Sequence, residues 1–384
     1  MKLSKKLTYV IVILDLFCVA IGAYLWLNHS STIVVRYVDA NGTSVTYDKV
    51  IKTKSFILKD VSKYYKKIDG YSLEPKKTNF VFTPLHSKVL TLTYKPKDSK
   101  GQISKFLNSH YYGVTFQPMS VPEKNGVQLD PFNLNRKYEG DKSGRDSLRL
   151  IYSDNGINWS KVAINYPKIN VRDPSMAHIG NGWFIVYTHG LIKTNDFVHW
   201  QKINWTYSKK FTNEWAPEFI QDANKKWYVV ESASNDNNKF QLYISDFNPL
   251  TGTIINNWKR ITGINMPKNM IDGHIDYENG EYYLWFKDED TKKLKLAKSD
   301  ELKSNYNVTD INANINFDGI EGPETVWTDS NKVRLYFDTY DLPEATFHGV
   351  HYVESDDGGY TWSNTNKLIS KEIIRHFQPF IRTN

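Results

Sequence analysis

Gly182-Trp183-Phe184-Ile185-Val186-Tyr187 is a glycine turn followed by five consecutive aromatic or β-branched residues, and the same construction returns along the chain. It recurs at Lys226-Trp227-Tyr228-Val229-Val230, at Gly280-Glu281-Tyr282-Tyr283-Leu284-Trp285-Phe286 and at Val333-Arg334-Leu335-Tyr336-Phe337. Each run is followed by a segment that closes in a polar turn and, usually, a tryptophan. Those closures are Ser153-Asp154-Asn155-Gly156 before Trp159, Asn195-Asp196 before Trp200, Ser245-Asp246 before Trp258, and Ser355-Asp356-Asp357-Gly358 before Trp362. Ser299-Asp300-Glu301-Leu302 is a fifth closure that lacks the tryptophan. Short aromatic and β-branched runs bounded by turns read as strands. A unit of about 40–50 residues with four short strands is the sequence form of a propeller blade. Five closures therefore predict an all-β fold, a five-bladed β-propeller over residues 111–384. The first unit, Ser147 to Trp159, has no long strand set before it. It is expected to complete its blade with Tyr111 to Phe116 or with Ile373 to Ile381.

Upstream, Thr32 to Pro96 alternates with the period of a strand. Ile33, Val35 and Tyr37 precede a turn at Asp39-Ala40-Asn41-Gly42, and Val89 to Tyr94 forms a closing strand. This predicts a small β-domain over 32–96 and a linker over 97–110. Residues Leu7 to Leu27 are apolar except for Asp15, long enough to cross a hydrocarbon core of about 30 Å, and follow Lys2, Lys5 and Lys6. Residues 1–28 are accordingly expected to be a cytoplasmic stub and one transmembrane helix. That places the rest outside, at the cell surface, near membrane lipid and cell-wall polymers. A cleaved signal peptide is the competing reading, and Tyr24 to Leu27 argue against it by continuing the apolar run.

The formal net charge of +7 comes from lysines spread along the chain, with no arginine-rich tract, which excludes nucleic acid as the partner. Cys18 is the only cysteine, so neither an intrachain disulfide nor a cysteine metal site is possible. The aromatic share is 14%, which suits packed sheets and also the stacking of rings on sugar faces.

Four acidic motifs stand just before or within the aromatic strands expected to line the propeller axis. They are Val171-Arg172-Asp173-Pro174-Ser175, Glu214-Trp215-Ala216-Pro217-Glu218, Ile271-Asp272-Gly273-His274-Ile275 and Ile320-Glu321-Gly322-Pro323-Glu324. Carboxyl groups in apolar surroundings carry a desolvation cost, so their presence calls for a purpose. Glycoside hydrolysis needs carboxyls converging on one concave face, one to protonate the leaving oxygen and one to activate water.

Taken in this order, and with Tyr282 to Asp290 following the third, the motifs resemble glycoside hydrolase family forty-three over about Ser147 to Ser363. Thr32 to Pro96 in turn resembles the mucin-binding-protein repeat, a β-grasp-like module of spacer or adhesive character. The family resemblance implies an inverting mechanism on arabinose-, xylose- or related furanoside linkages of a poly- or oligosaccharide, with no cofactor required. A structural calcium on the propeller axis is left open. Residue by residue, it implies Asp173 as general base, Glu321 as general acid and Asp272 as the carboxylate that raises the acid's pKa. It also implies Trp215, Glu218 and His274 at the sugar subsite, with Arg172 bracing a neighbouring carboxylate. The motif Asp-Gly-His departs from the Asp-Pro-Ser of many members, and Glu324 lies close to Glu321. Two other readings stand beside this one. One is a non-catalytic glycan-binding propeller. The other is a fructan-acting enzyme of the related clan, which would need Asp130 as nucleophile and expects a cysteine where Gly322 stands. The Asp-box-like Ser355 to Trp362 is read as architecture.

Overall fold

The computed structural model describes residues 17–20, 31–54, 57–74, 80–81, 89–117, 123–124, 127–130, 133–137, 146–204, 211–235, 239–311, 313–342, 346–370 and 374–382. Five sheets of four or five strands occupy the chain from Tyr111 onward. Sheet I runs in the order Ile369–Ser370, Asn158–Lys161, Ser147–Ser153, Tyr111–Gln117, Arg375–Ile381. Sheet II is Ser175–Ile179, Gly182–Tyr187, Gly190–Thr194, Trp200–Ile203. Sheet III begins with Asn213–Gln221, sheet IV is led by Met270–Glu278, and sheet V begins with Gly319–Asp329. In sheets II to V the aromatic run pairs antiparallel with the acidic-motif strand, as in Ser175–Ile179 against Gly182–Tyr187.

The sheets close into a β-propeller-like ring, because each packs on the next through its own apolar seam. Val114, Leu148 and Leu150 of sheet I meet Met176, Ile185 and Tyr187 of sheet II. Ala177 and Phe184 meet Phe219, Val229 and Phe247 between sheets II and III. Val230 and Leu242 meet Met270, Ile275 and Leu284 between III and IV. Tyr283 and Trp285 meet Ile320 and Leu335 between IV and V. Val326, Tyr336 and Tyr352 return to Tyr111, Trp159 and Phe377 of sheet I. Flat aromatic and branched side chains on successive strands serve this geometry, since both faces of every sheet are covered.

Sheet I takes strands from both sequence regions weighed as alternatives: Tyr111–Gln117 pairs with Ser147–Ser153 on one side and Arg375–Ile381 on the other. The last strand of the chain thus locks onto the first strand of the ring, and Thr115 donates its hydroxyl to the Arg375 carbonyl at 2.6 Å.

The N-terminal part is a separate four-stranded sheet in which Ser31–Val38 and Val89–Pro96 run parallel, flanked by Lys49–Thr53 and Tyr71–Glu74. The stretch read as a linker holds a helix, Ser99–Asn108, capped by Asp98, whose side chain accepts from the Gly101 N–H at 2.9 Å. The small sheet is docked onto the segment between sheets I and II. Asp39 accepts from the Tyr166 N–H at 2.8 Å, Tyr71 donates to the Ile164 carbonyl at 2.6 Å, and buried Arg149 donates to the Ser44 carbonyl at 2.6 Å.

The membrane placement requires correction. Among the described residues no helix is long and apolar enough to cross a membrane. Of Leu7 to Leu27, only residues 17–20 are described, as helix, and the rest of that stretch lies outside the described residues. Asp130 lies in a short strand, Val127–Asp130, paired with Asn133–Lys137 in a sheet separate from those of the acidic motifs.

Phe377 is 2% exposed and its ring meets Trp159 at 4.6 Å and Tyr336 at 5.1 Å, bridging the two ends of the ring. Phe377→Ala is expected to destabilise the protein by about 3–5 kcal/mol, measured by urea denaturation. A loss under about 1 kcal/mol would show that the ring does not depend on this seam.

Candidate active site

Once per sheet, at or just before the strand nearest the axis, the backbone enters the left-handed region. The residues are Asp173 (φ 49°), Ala216 (φ 45°), Asp272 (φ 56°), Gly322 (φ 57°) and His376 (φ 41°). In four sheets this residue sits in a β-bulge, between Trp215 and Glu218, Ile271 and His274, Glu321 and Glu324, and Arg375 and Gln378. Bulges re-aim side chains at barrel rims and next to functional sites. They divide each acidic motif into two levels. The residue at the kink and the one before it lie at the mouth of the ring. The residue two further on is buried: Ser175, Glu218, His274, Glu324 and Gln378, all under 9% exposed.

The kinked N–H groups are capped from the preceding sheet. Ala216 donates to Thr188 Oγ1 at 3.1 Å, Asp272 to Ser232 Oγ at 2.9 Å, and His376 to Asp338 Oδ2 at 3.2 Å. The inner level adds joints of its own, Phe219 N–H to Ser175 Oγ at 2.9 Å and Met176 N–H to Gln378 Oε1 at 2.7 Å.

At the mouth, Asp173 accepts from Thr188 Oγ1 at 2.9 Å and lies 3.7 Å from His376 Nδ1. Asp272 accepts from the Gly322 N–H at 3.0 Å. Glu321 is gripped by two cations, Lys287 at 3.0 Å and the Arg375 guanidinium, which also binds Asp338 at 3.0 Å. Asp173, Asp272 and Glu321 therefore share one electrostatic neighbourhood with His376. Burial pushes the Asp272 carboxyl up to about 6, with Glu321 and Asp173 raising it further and His376 and Lys287 opposing. Glu321 runs the other way: burial would raise it, but Arg375 and Lys287 outweigh burial and hold it below its ordinary value. The resemblance implies a Glu321 raised by Asp272. Here the two cations lower Glu321 while burial raises Asp272, the reverse of that order.

Glu218 and His274 lie beneath the mouth, buried and paired with each other at 2.6 Å. Glu324 stands 3.2 Å from the same His274 nitrogen, and Asp276 lies 3.2 Å from the other. Burial would push the imidazole down, but Asp276, Glu218 and Glu324 together hold it well above its ordinary value. Burial and the Glu218 charge raise Glu324. Glu218, His274 and Glu324 offer ligand atoms within 4.8 Å of one another. Trp215 is 42% exposed and stacks on Phe240 at 4.2 Å, leaving one ring face toward solvent. Arg172 reaches Asp146 at 3.5 Å and the Phe116 ring at 5.7 Å.

Sequence reasoning missed Arg375, His376 and Lys287. Arg375-His376-Phe377-Gln378 is the fifth copy of the motif, hidden because it is basic where the other four are acidic. Lys287 lay in the quoted stretch after the third motif, unassigned.

The family described as probable glycosyl hydrolase domain, a relative of glycoside hydrolase family 43, matches residues 180–378, just over half of the chain. Asp272 and Glu321 fall inside the match and Asp173 shortly before it. No curated protein matches the chain. Among solved structures, a thermostable family-43 glycoside hydrolase is 16% identical, with a TM-score of 0.39 over 53% of this chain and 74% of that one. An endo-1,4-β-xylanase from Bacteroides thetaiotaomicron is 12% identical, with a TM-score of 0.43 over 62% of this chain and 89% of that one. An endo-arabinase from the same organism is 16% identical, with a TM-score of 0.42 over 52% of this chain and 81% of that one.

A carboxyl that titrates near 6 when folded, against an ordinary 3.8, binds its proton more tightly in the folded state. Its stabilising contribution is complete below about pH 4 and is lost as pH rises through 6. Wild-type stability is expected to fall by about 2.5 kcal/mol more than that of Asp272→Asn between pH 4 and 7. Urea denaturation of both proteins at each pH measures this, and parallel pH dependences would refute it.

Proposed function

This chain is a glycoside hydrolase, belonging to the family described as probable glycosyl hydrolase domain, and we propose that it inverts configuration at arabinose-, xylose- or related furanoside linkages of a poly- or oligosaccharide. The observation that carries the reading is the convergence of Asp173, Asp272 and Glu321 with His376 at the mouth of one ring. Asp173, ionised, takes a proton from the water that attacks the anomeric carbon. The bond to the leaving oxygen breaks as Glu321 delivers a proton to it. Asp272, which holds a proton up to about pH 6, is the source from which Glu321 is charged. Water and sugar thereby exchange one proton each with the enzyme, and the two carboxyls end in exchanged states. The exposed face of Trp215 stacks on a sugar ring. Glu218 and His274 act from below as the rigid floor of the subsite. The propeller has five blades in this reading, and the N-terminal sheet is a mucin-binding-like module fixed against it.

One observation favours the non-catalytic alternative: Glu321 has the two cationic partners of a structural ion pair. Hydrolysis of aryl arabinofuranosides, xylosides and galactosides separates the two. Turnover is expected on one of them, with Glu321→Gln and Asp173→Asn each slower by about 10²–10⁴-fold and the first product anomer inverted. Glycan binding with no turnover on any of the three would establish the non-catalytic reading instead. A retained anomer would exclude Asp173 as base.

A further inference from the structure

Thr188, Ser232 and Asp338 occupy one register position in sheets II, III and V. Each lies two residues past the strand partner of the buried inner-level residue: Val186 opposite Ser175, Val230 opposite Glu218, Tyr336 opposite Glu324. At that position each accepts the N–H of the left-handed residue in the following sheet. The same count in sheet IV, from Trp285 opposite His274, lands on Lys287. An ammonium has donors and no acceptor, so it has no means of capping the next kink. The Gly322 N–H turns instead to Asp272 Oδ2 at 3.0 Å. Lys287, 2% exposed, spends its own donors on Glu321 at 3.0 Å and Glu289 at 2.8 Å. A position that elsewhere needs only a small acceptor here carries a buried charge, which is tolerated only where it is paired.

We propose that Lys287 is the positioning residue of this site: by displacing the usual acceptor it ties the Gly322 amide to Asp272 while holding Glu321, joining the two carboxyls across adjacent sheets. Its catalytic consequence rests on the hydrolase reading, whereas the wiring stands on geometry alone. A hydroxyl in its place would cap Gly322 as Thr188 caps Ala216, releasing Asp272 and leaving Glu321 to Arg375. The groups facing Glu321 are Arg375 and His376 from sheet I, Lys287 and Asp272 from sheet IV, and Asp338 and Tyr340 from its own sheet.

The test follows the ¹³C carboxyl resonance of Glu321, assigned through Glu321→Gln, against pH in four proteins: wild type, Lys287→Met, Lys287→Thr and Lys287→Arg. Loss of the cation is expected to move the Glu321 midpoint up by about one pH unit in the Met and Thr variants, and the Arg variant to restore it. The Gly322 amide proton shifts in Lys287→Thr as its acceptor changes, and any measurable kcat/KM profile moves in the same direction as the midpoint. The Met variant preserves volume and the Thr variant copies a residue that sheet II already holds, so the two fail to fold for different reasons. A Glu321 midpoint unmoved in whichever of them folds, or a Gly322 amide unmoved in Lys287→Thr, overturns the proposal. If neither folds while Lys287→Arg does and leaves the midpoint where it was, the lysine's role is that of a structural charge and the proposal also fails. A moved midpoint without turnover on any sugar supports the wiring and counts against the hydrolase reading alone.

Discussion

Five inner strands that meet around one axis must each bend where they reach the mouth, and here each does so through a single left-handed residue. For four of the five that residue has a side chain, at a conformational cost of about 1–2 kcal/mol each. Such strain persists only where the surroundings over-determine it. Two features supply that here. The apolar seams between successive sheets fix the spacing of the strands, and four of the kinked amides donate to a side chain of the preceding sheet. Closing the ring and shaping the site are therefore one event: a sheet that shifted would lose both its seam and its neighbour's cap.

The kink also sorts charge by depth. Groups before and at the bend reach the mouth, where Asp173, Glu321 and Arg375 meet. Glu218 and Glu324, two residues further, lie buried around His274. In the low dielectric of that interior, charge is tolerable only in compensated sets. His274 sits between Glu218, Glu324 and Asp276, so its positive charge offsets carboxylates from three sheets. Such a network tolerates little substitution, because removing one member leaves the others unpaired.

At the mouth the balance is asymmetric. Two cations lower Glu321 and burial raises Asp272, so two carboxyls one sheet apart are shifted in opposite directions. Opposite shifts in neighbouring carboxyls are what acid–base chemistry at near-neutral pH requires. They arise from partners supplied by other sheets, Arg375 from sheet I and Lys287 from sheet IV, and not from anything within Ile320-Glu321-Gly322-Pro323-Glu324.

Strand content, the repeat of aromatic runs and the four acidic motifs were legible because each depends on short-range order: alternation along a strand, a turn, a bulge-prone Asp-Gly or Ala-Pro. Short-range order also led astray. Residues 97–110 read as a linker by composition, yet Ser99–Asn108 within them is a helix, and the membrane span expected of the apolar N-terminal run is not found, since no described helix is long and apolar enough to cross a membrane. The fifth motif escaped because Arg375-His376 matches its siblings in backbone conformation and register, not in charge. What tertiary structure alone decided is who stands beside whom. Arg375 reaches Glu321 across 54 residues and Gln378 reaches the Met176 amide across 202. The amino-acid sequence by itself determined that strands, bends and carboxyls would exist. Which carboxyl is raised and which lowered was decided by ring closure, since electrostatic energy in a buried site depends on distance through space and the chain's own order says nothing about that.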